Sequence, residues 1–290
     1  MAFLEYTPTQ TLYQYCSIAG FRGIITSRTL WCTDLESAND PRELKLGFQH
    51  FMDALNCIRN EEYKGRAGIF LERLATEVRQ SHERSQAFCA CFSLARDALP
   101  MWAQYGDQSR GLAIGFRPSA ITSMPGRIQM ARYLNSDTAE DFRHLVRDII
   151  AGFDPEHNPD DLIYWITAVT NARTAITALK HDSWEHEREI RFVFVQARAD
   201  PEPSIPISQY PDETPVFWEA PQRRLRGTES VDYKIFPYGQ WRQGTCNPAR
   251  AIERVVIGSR SSLSIEEVAA ELRENGFERF QVVRSECEIR

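Results

Sequence analysis

The sequence lacks several features that would each point to one class of protein. No apolar run reaches the roughly 18 residues of a membrane-spanning helix. The first residues, MAFLEYTPTQ, contain no basic stretch followed by an apolar one. The formal net charge of −6 argues against a general electrostatic grip on nucleic acid. We therefore expect a soluble, cytoplasmic protein with no membrane partner.

Cysteine occurs seven times, an odd number without a paired framework. Cys89 and Cys91 form one C-x-C, but no second pair follows and no histidine stands at a zinc-ligand spacing. We predict buried, reduced thiols and no metal ion at this motif.

The sequence does have many apolar residues, and they are distributed over short segments predicted to be strands and helices. Of 290 residues, 42% are hydrophobic and 11% aromatic, which is enough for a sizeable core. Strands are predicted at LYQYC, TLWCT, AFCACFSL and GLAIGF, and longer helices where apolar residues recur at helical spacing. Ser264 and Glu267 form a capping box between the predicted strands RVVIG and RFQVVRS. We expect an α+β fold in one domain, residues 1–290, with a β-α-β extension over about 250–290.

The segment NDPREL has a plain structural explanation. Asp40 suits an N-cap, Pro41 suits the first helical position, and Glu43 can reach back toward the cap. Capping, which is worth about 1 kcal/mol, therefore accounts for both acids better than ligand binding does.

Residues 199–250 are rich in Pro, Gly and polar residues, yet aromatic residues continue through them. This composition predicts strands and long loops rather than a linker. The segment PQRRLRG places three arginines close together, on what we expect to be a solvated loop. They are Arg223, Arg224 and Arg226.

The segment WEHEREIRFVFV, residues 184–195, carries three carboxylates at alternate positions. If it is a strand, Glu185, Glu187 and Glu189 share one face with Arg191, each roughly 6.6 Å from the next. One arginine cannot neutralise three carboxylates, and repulsion in a buried site would raise the proton affinity of one of them. The alternative is a solvated strand end, with Glu185 the wettest of the three.

Several motifs in a fixed order resemble those of a known family. LYQYCSIAGFRGIITSRTLWCTD, NDPREL, CFS, MWAQYGDQSRGLAIGF and KHDSWEHEREIRF follow one another over residues 12–194. Together they resemble a widespread prokaryotic family of unknown function, often marked by W-x-T-D, N-D-P-x-E, C-F-S, M-W-x-x-Y-G and E-x-E-x-R. That family is more remotely similar to ADP-ribosyltransferase-like domains, and its members often resemble toxin-type or phage-defence proteins.

The resemblance implies an ADP-ribosyltransferase-like fold of packed β-sheets with flanking helices, in which NAD lies in a cleft between the sheets. It also implies an ADP-ribosyltransferase or NAD glycohydrolase that cleaves the nicotinamide–ribose bond, with an unknown macromolecular acceptor for ADP-ribose. Glu187 and Glu189 match the E-x-E and would be the catalytic pair. The residues implied to bind NAD are Tyr13, Gln14, Tyr15, Trp31, Ser93, Trp102, Tyr105 and Arg191.

A carboxylate suits this chemistry because the cleavage builds positive charge on the ribose, as in glycoside hydrolysis. One fixed carboxylate can stabilise that charge, and a second can accept the proton of the attacking nucleophile. Gln14 departs from the pattern, because relatives often carry His or Arg there. Since Gln cannot supply a positive charge, backbone groups and Arg22 or Arg28 would have to hold NAD.

Two other functions fit the same residues. A non-catalytic module could bind a nucleotide or a partner protein through the same cleft, and there Gln14 would be expected. Metal-assisted hydrolysis of nucleic acid by the acidic face is the weaker option. A common nuclease arrangement places a lysine beside its acids, and the sequence lacks that arrangement. The net charge also disfavours DNA.

Overall fold

The structure, a computed structural model, describes residues 6–37, 42–61, 65–152, 162–198, 220–239 and 246–287. The predicted cap at Asp40 and Pro41 lies outside these residues. Strands and helices are mixed along the described chain, and a large mixed sheet is flanked by helices, so the α+β class is confirmed.

The strands of the described residues have the following bounds. They are β1 (Leu12–Cys16), β2 (Thr29–Asp34), β3 (Ser85–Ser93), β4 (Leu112–Phe116), β5 (Arg127–Met130), β6 (Arg132–Tyr133), β7 (Leu179–Lys180), β8 (Glu189–Ala197), β9 (Gln222–Arg226), β10 (Glu229–Pro237), β11 (Ile252–Ile257) and β12 (Gln281–Arg284).

The α-helices of the described residues are α1 (Ile18–Ser27), α2 (Glu43–Glu61), α3 (Arg66–Arg84), α4 (Leu99–Gln104), α5 (Pro118–Thr122), α6 (Thr138–Ala151), α7 (Leu162–Ile176) and α8 (Ile265–Glu274). Short 3₁₀ turns cover Leu35–Ser37, Asp182–Glu187 and Pro248–Arg250.

Several elements follow from local sequence alone. Ser17 caps α1 by accepting a hydrogen bond from the Gly20 amide at 3.1 Å. The capping box of Ser264 and Glu267 starts α8 as predicted, and α8 joins β11 to β12 in a parallel β-α-β unit. The helix α3 was not anticipated.

Three strands meet at β3, and this junction opens the sheet. β8 pairs with β3 along its whole length, from Ser85 to Ser93. On the opposite edge, β1 pairs only at Ser93, whereas β2 pairs only at Cys89 and Phe88. A strand has two edges, so β1 and β2 share the second edge and diverge from it as the two arms of a fork.

Each arm of the fork continues into further strands. The first arm runs from β1 through β4 and β11 to β12, and the second runs from β2 through β10 to β9. With β5 and β8 on the other side of β3, ten of the described strands form one sheet. The arrangement therefore differs from two separate packed sheets, because β3 hydrogen-bonds to both arms.

Two apolar clusters hold the molecule together. One lies between the sheet and α1, α5 and α8, with Phe21, Phe92 and Leu272 among its buried members. The other joins α2, α3, α6 and α7 around side chains such as Leu74 and Phe142. Helices α6 and α7 are two of the longer helices expected where apolar residues recur at helical spacing.

The acidic segment is not a continuous strand. Residues Asp182–Glu187 form a 3₁₀ turn, Arg188 has a φ of 45° in the left-handed region, and β8 begins at Glu189. The predicted strand from residue 184 was therefore wrong for its first five residues. Only Glu189 and Arg191 share a strand face, and Glu187 arrives beside them from the turn.

Candidate functional site

A cavity of about 680 Å³ lies in the fork between β1 and β2. This volume falls within the 300–1,000 Å³ common for small-molecule sites. Strands β1, β2, β3 and β8 and helix α1 contribute lining residues, and β9 contributes at the second arm. We call this space the fork cavity.

Most of the side chains implied by the resemblance line the fork cavity. Tyr13, Ser93 and Glu189 are cross-strand neighbours on β1, β3 and β8, because Tyr13 pairs with Ser93 and Ser93 pairs with Glu189. The other implied residues that line it are Gln14, Tyr15, Trp31, Tyr105, Glu187 and Arg191.

Five charged side chains are buried together at one end of the fork cavity. They are Glu43, Lys180, Glu187, Glu189 and Arg191, which we call the ion cluster. Three carboxylates face two cations, so the cluster has a formal excess of one negative charge. Its position follows from three elements, because α2 begins at Glu43, β7 ends at Lys180 and β8 begins at Glu189.

Lys180 is the centre of the ion cluster. Its Nζ atom lies 2.5 Å from Glu187 Oε2, 2.9 Å from Glu189 Oε2 and 3.2 Å from Glu43 Oε1. Burial alone would lower the pKa of Lys180, but Glu189 and the other two carboxylates raise it well above its ordinary value. Lys180 therefore remains charged and binds the two candidate catalytic carboxylates together. It was not singled out in the sequence.

Arg191 completes the ion cluster. Its Nη2 atom donates to Glu43 Oε2 and to Glu189 Oε2, both at 2.9 Å, and its Nη1 atom donates to the carbonyl of Thr177 at 2.5 Å. The guanidinium is thus held by the protein, so its main effect is on the carboxylates. Glu43 belongs to this cluster as well, so it has a role in the site that capping does not describe.

The pKa of Glu189 is shifted in the direction opposite to the prediction. Burial raises it, but Arg191 and Lys180 outweigh burial and lower the pKa from 4.5 to about 2. Glu189 is therefore not the acid whose proton affinity repulsion raises, because two cations rather than one lie beside it. Glu189 is a fixed anion at neutral pH.

Glu187 is oriented by two residues that the resemblance assigned to NAD. The Tyr105 hydroxyl donates to Glu187 Oε1 at 2.5 Å. The Ser93 hydroxyl donates to the backbone carbonyl of Glu187 at 2.6 Å and accepts from the Ala95 amide at 2.9 Å. Ser93 is therefore a positioning residue for the 3₁₀ turn. By contrast, Glu185 is exposed on that turn, as predicted.

Gln14 presents an unused acceptor. Its side-chain Oε1 atom is buried and has no hydrogen-bond partner among the described residues. A buried amide oxygen without a partner costs free energy, which a ligand N–H or O–H donor would recover. This atom gives the Gln14 side chain a specific capacity to recognise a ligand.

Trp102 is a core residue and does not line the fork cavity. Its ring is fully buried, lies 4.8 Å from the Tyr15 ring in an edge-on arrangement, and donates from Nε1 to Asp97 at 2.5 Å. Tyr15 in turn donates from its hydroxyl to the Ala95 carbonyl at 2.9 Å. The aromatic lining includes Trp184, which the sequence analysis missed.

The second arm carries arginines on an edge strand rather than on a loop. Residues Gln222–Arg226 of PQRRLRG form β9, and Arg224 and Arg226 line the fork cavity. The expected solvated loop is therefore wrong, and strand alternation is the signal that could have identified this pair. Arg22 and Arg28 lie elsewhere: Arg22 pairs with Glu271 at 2.7 Å, and Arg28 lies over Phe277.

All seven cysteines are free thiols, although only Cys32 and Cys89 are fully buried. The sulfur atoms of Cys89 and Cys91 are 3.5 Å apart on β3. Within the described ranges, no group of three or more His, Cys, Asp or Glu side chains could hold a metal ion. A lysine does lie beside these acids, because Lys180 contacts both Glu187 and Glu189.

The comparisons with known proteins give one match. Residues 101–192, about a third of the chain, match a family model described as a protein of unknown function (DUF2971). This segment includes Tyr105, Lys180, Glu187, Glu189 and Arg191, and it fits the expected family of unknown function. No curated protein and no solved structure matches the chain. Among the described helices, none combines the length and apolar character needed to cross a membrane.

Proposed function

We propose that this chain is an NAD-consuming, ADP-ribosyltransferase-like protein. It would cleave the nicotinamide–ribose bond and transfer ADP-ribose to a macromolecular acceptor. The observation that carries the proposal is the row formed by Tyr13, Ser93 and Glu189 along one wall of the fork cavity. Three distant segments of sequence, each assigned by the resemblance, supply this row.

The electrostatics of the ion cluster suit the reaction. The bond between nicotinamide nitrogen and ribose breaks, nicotinamide leaves with the electron pair, and positive charge develops on the ribose. A cluster with one excess negative charge, including a Glu189 carboxylate that stays ionised, stabilises such a cation. The attacking O–H group then bonds to the ribose carbon, and its proton passes to a carboxylate of the cluster.

A second candidate function is nucleotide binding without cleavage. It is favoured by Lys180, whose Nζ atom lies between Glu187 and Glu189 and engages both carboxylates. In that case the cluster would serve to hold the wall of the cavity, while Gln14 would accept a hydrogen bond from the ligand. Binding with no release of nicotinamide is the result that distinguishes this function from the first.

The test is incubation of the purified protein with millimolar NAD, followed by measurement of free nicotinamide. Glu189→Gln keeps the shape of the side chain but removes the charge, so we expect turnover to fall by at least about a hundredfold. Glu185→Gln is the matched control, because Glu185 is exposed on the adjacent turn and should leave turnover unchanged.

Thermal melts of each variant show whether lost turnover reflects lost structure. Added NAD should raise the melting temperature of the wild type by mass action. Equal turnover in the wild type, Glu189→Gln and Glu185→Gln would exclude Glu189 as a catalytic residue. Melting curves that do not move with NAD, NADP or ADP-ribose would count against both candidate functions.

A further inference from the structure

We propose that Arg224 and Arg226 of β9 form a subsite of the fork cavity that binds the phosphate groups of a nucleotide. This subsite lies on the second arm, outside the residues assigned by the resemblance, and supplies the positive charge that Gln14 lacks. Its ligand is a dinucleotide if the proposed function holds, but phosphate recognition itself does not depend on cleavage.

Strand geometry selects which arginines face the fork cavity. β9 pairs antiparallel with β10, with Arg224 opposite Val231 and Arg226 opposite Glu229. Residues two apart on a strand share a face, so these two arginines lie on the side of the cavity. Arg223 points to the other face, where its Nε atom bonds Asp232 at 3.0 Å.

The Arg224 guanidinium is held in place by neutral groups. Its Nη2 atom donates to Thr33 Oγ1 at 3.1 Å, and its Cζ atom lies 5.2 Å from the centre of the Trp31 ring and 5.6 Å from that of Tyr233. Its Nε atom is buried without a hydrogen-bond partner in the described part of the chain. An oriented cation with an unused buried N–H group is suited to an anionic ligand.

Arg226 adds a second cation to the same face. Its Nη2 atom donates to the carbonyl of Ser37 at 2.7 Å and lies 3.7 Å from Glu229, a carboxylate that is itself largely exposed. Such an exposed ion pair contributes little to stability, and Arg226 itself lines the fork cavity. Each guanidinium carries paired N–H donors that match two oxygens of a phosphate group, and two such groups lie on one face.

The exposed Trp31 ring favours a nucleotide over a simple anion as the ligand. Its ring is 48% exposed, lines the fork cavity, and stacks on Tyr233 with ring centres 4.7 Å apart. A large exposed aromatic ring fixed by stacking offers a flat surface for a base. One ligand with a ring system and phosphate groups would use Trp31 and the two arginines together.

The experiment compares ADP-ribose, ADP and adenosine by isothermal titration with the full chain. We expect Arg224→Gln and Arg226→Gln each to weaken ADP-ribose and ADP binding about ten- to a hundredfold. Arg223→Gln, the matched control on the opposite face, should bind both as the wild type does. Arg224→Lys keeps the charge but loses the paired N–H donors of the guanidinium, so we expect an intermediate loss of ADP-ribose affinity.

Adenosine has no phosphate, so its binding should be much weaker and insensitive to Arg224→Gln. Unchanged ADP-ribose affinity in Arg224→Gln and Arg226→Gln would overturn the subsite, as would an absence of ADP-ribose and ADP binding to the wild type. Arginine-dependent binding of ADP-ribose with no release of nicotinamide from NAD would support the subsite while refuting the proposed cleavage. The two failures are therefore distinguishable.

Discussion

The two regions of the fork cavity hold their charges in opposite ways. In the ion cluster, every charged side chain is buried and lies within 4.0 Å of an opposite charge. On β9, the Arg224 guanidinium is held by Thr33 and two aromatic rings, and Arg226 donates to the Ser37 carbonyl and lies 3.7 Å from the exposed Glu229 carboxylate. The charges of the first region are already in place before a ligand binds, whereas the arginines of the second region are the cations proposed to bind a ligand anion.

This difference has an energetic cause. Moving an ion out of water costs several kcal/mol, and a buried pair recovers that cost only while both partners are present. The ion cluster should therefore matter to folding, whereas β9 should matter to binding. The predictions below test this division.

The largest expected effect on stability is that of Lys180→Met. The variant keeps an unbranched side chain but leaves Glu43, Glu187 and Glu189 with Arg191 as the remaining cation of the ion cluster. Leaving buried carboxylates without their partner should lower the free energy of unfolding by about 3–5 kcal/mol. Urea unfolding at pH 7 measures this value.

Arg226→Met provides the comparison from the other region. Arg226 is exposed, so its replacement should change the free energy of unfolding by no more than about 0.5 kcal/mol. Equal losses in the two variants would contradict the division between a cluster that stabilises the fold and a strand that binds ligands.

The next prediction concerns the loss of folding stability at acidic pH. The pKa of Glu189 is lowered in the folded state from 4.5 to about 2, so this group stabilises the fold above pH 4.5. That contribution, about 3 kcal/mol, should be lost as the pH falls from 4.5 toward 2. Unfolding free energies at pH 6 and pH 3 capture about 2 kcal/mol of this loss, and the difference between the two pH values should be smaller in Glu189→Gln. If the free energy of unfolding changes with pH equally in the wild type and in Glu189→Gln, then Glu189 is not the source of the acid sensitivity.

The parts of the fold that could be predicted from sequence are those whose causes are local. Ser17 and the capping box of Ser264 and Glu267 act within four residues, and the spacing of apolar side chains is itself the cause of an amphipathic helix. The resemblance added Glu187 and Glu189, but it assigned their partners Ser93, Tyr105 and Arg191 to NAD and did not include Lys180. Their strand geometry was wrong because Arg188 turns the chain through a left-handed conformation.

The missed residues depend on contacts between distant segments. Lys180 reaches the acids because β7 pairs with β6, and Glu43 reaches Arg191 across 148 residues. Likewise, Arg224 faces the fork cavity only because β10 pairs with β2 and places β9 on the second arm. The surrounding composition, rich in Pro and Gly, favoured the interpretation of this strand as a loop. A single sequence also carries no information on which strands become neighbours.

Two variants of Gly23, with a small expected effect on stability, test whether the two regions serve one ligand. Gly23 lies within α1 and lines the fork cavity, and a Cβ atom built there meets nothing within 4 Å. Gly23→Ala should therefore raise the free energy of unfolding by about 0.5–1 kcal/mol, because alanine restricts the unfolded chain and favours the helix. Its methyl group is small beside a cavity of about 680 Å³, so ADP-ribose binding should be nearly unchanged.

Gly23→Leu keeps the helix but extends a larger side chain from α1 into the fork cavity. If one ligand occupies the fork cavity from Glu189 to Arg224, this variant should weaken ADP-ribose binding and NAD turnover together, while its melting temperature stays near that of Gly23→Ala. Thermal melts, titration with ADP-ribose and nicotinamide release on both Gly23 variants provide the three readings. Normal binding with lost turnover would place the ligand on the β9 side alone, and normal values for both would place it outside the part of the cavity that α1 lines.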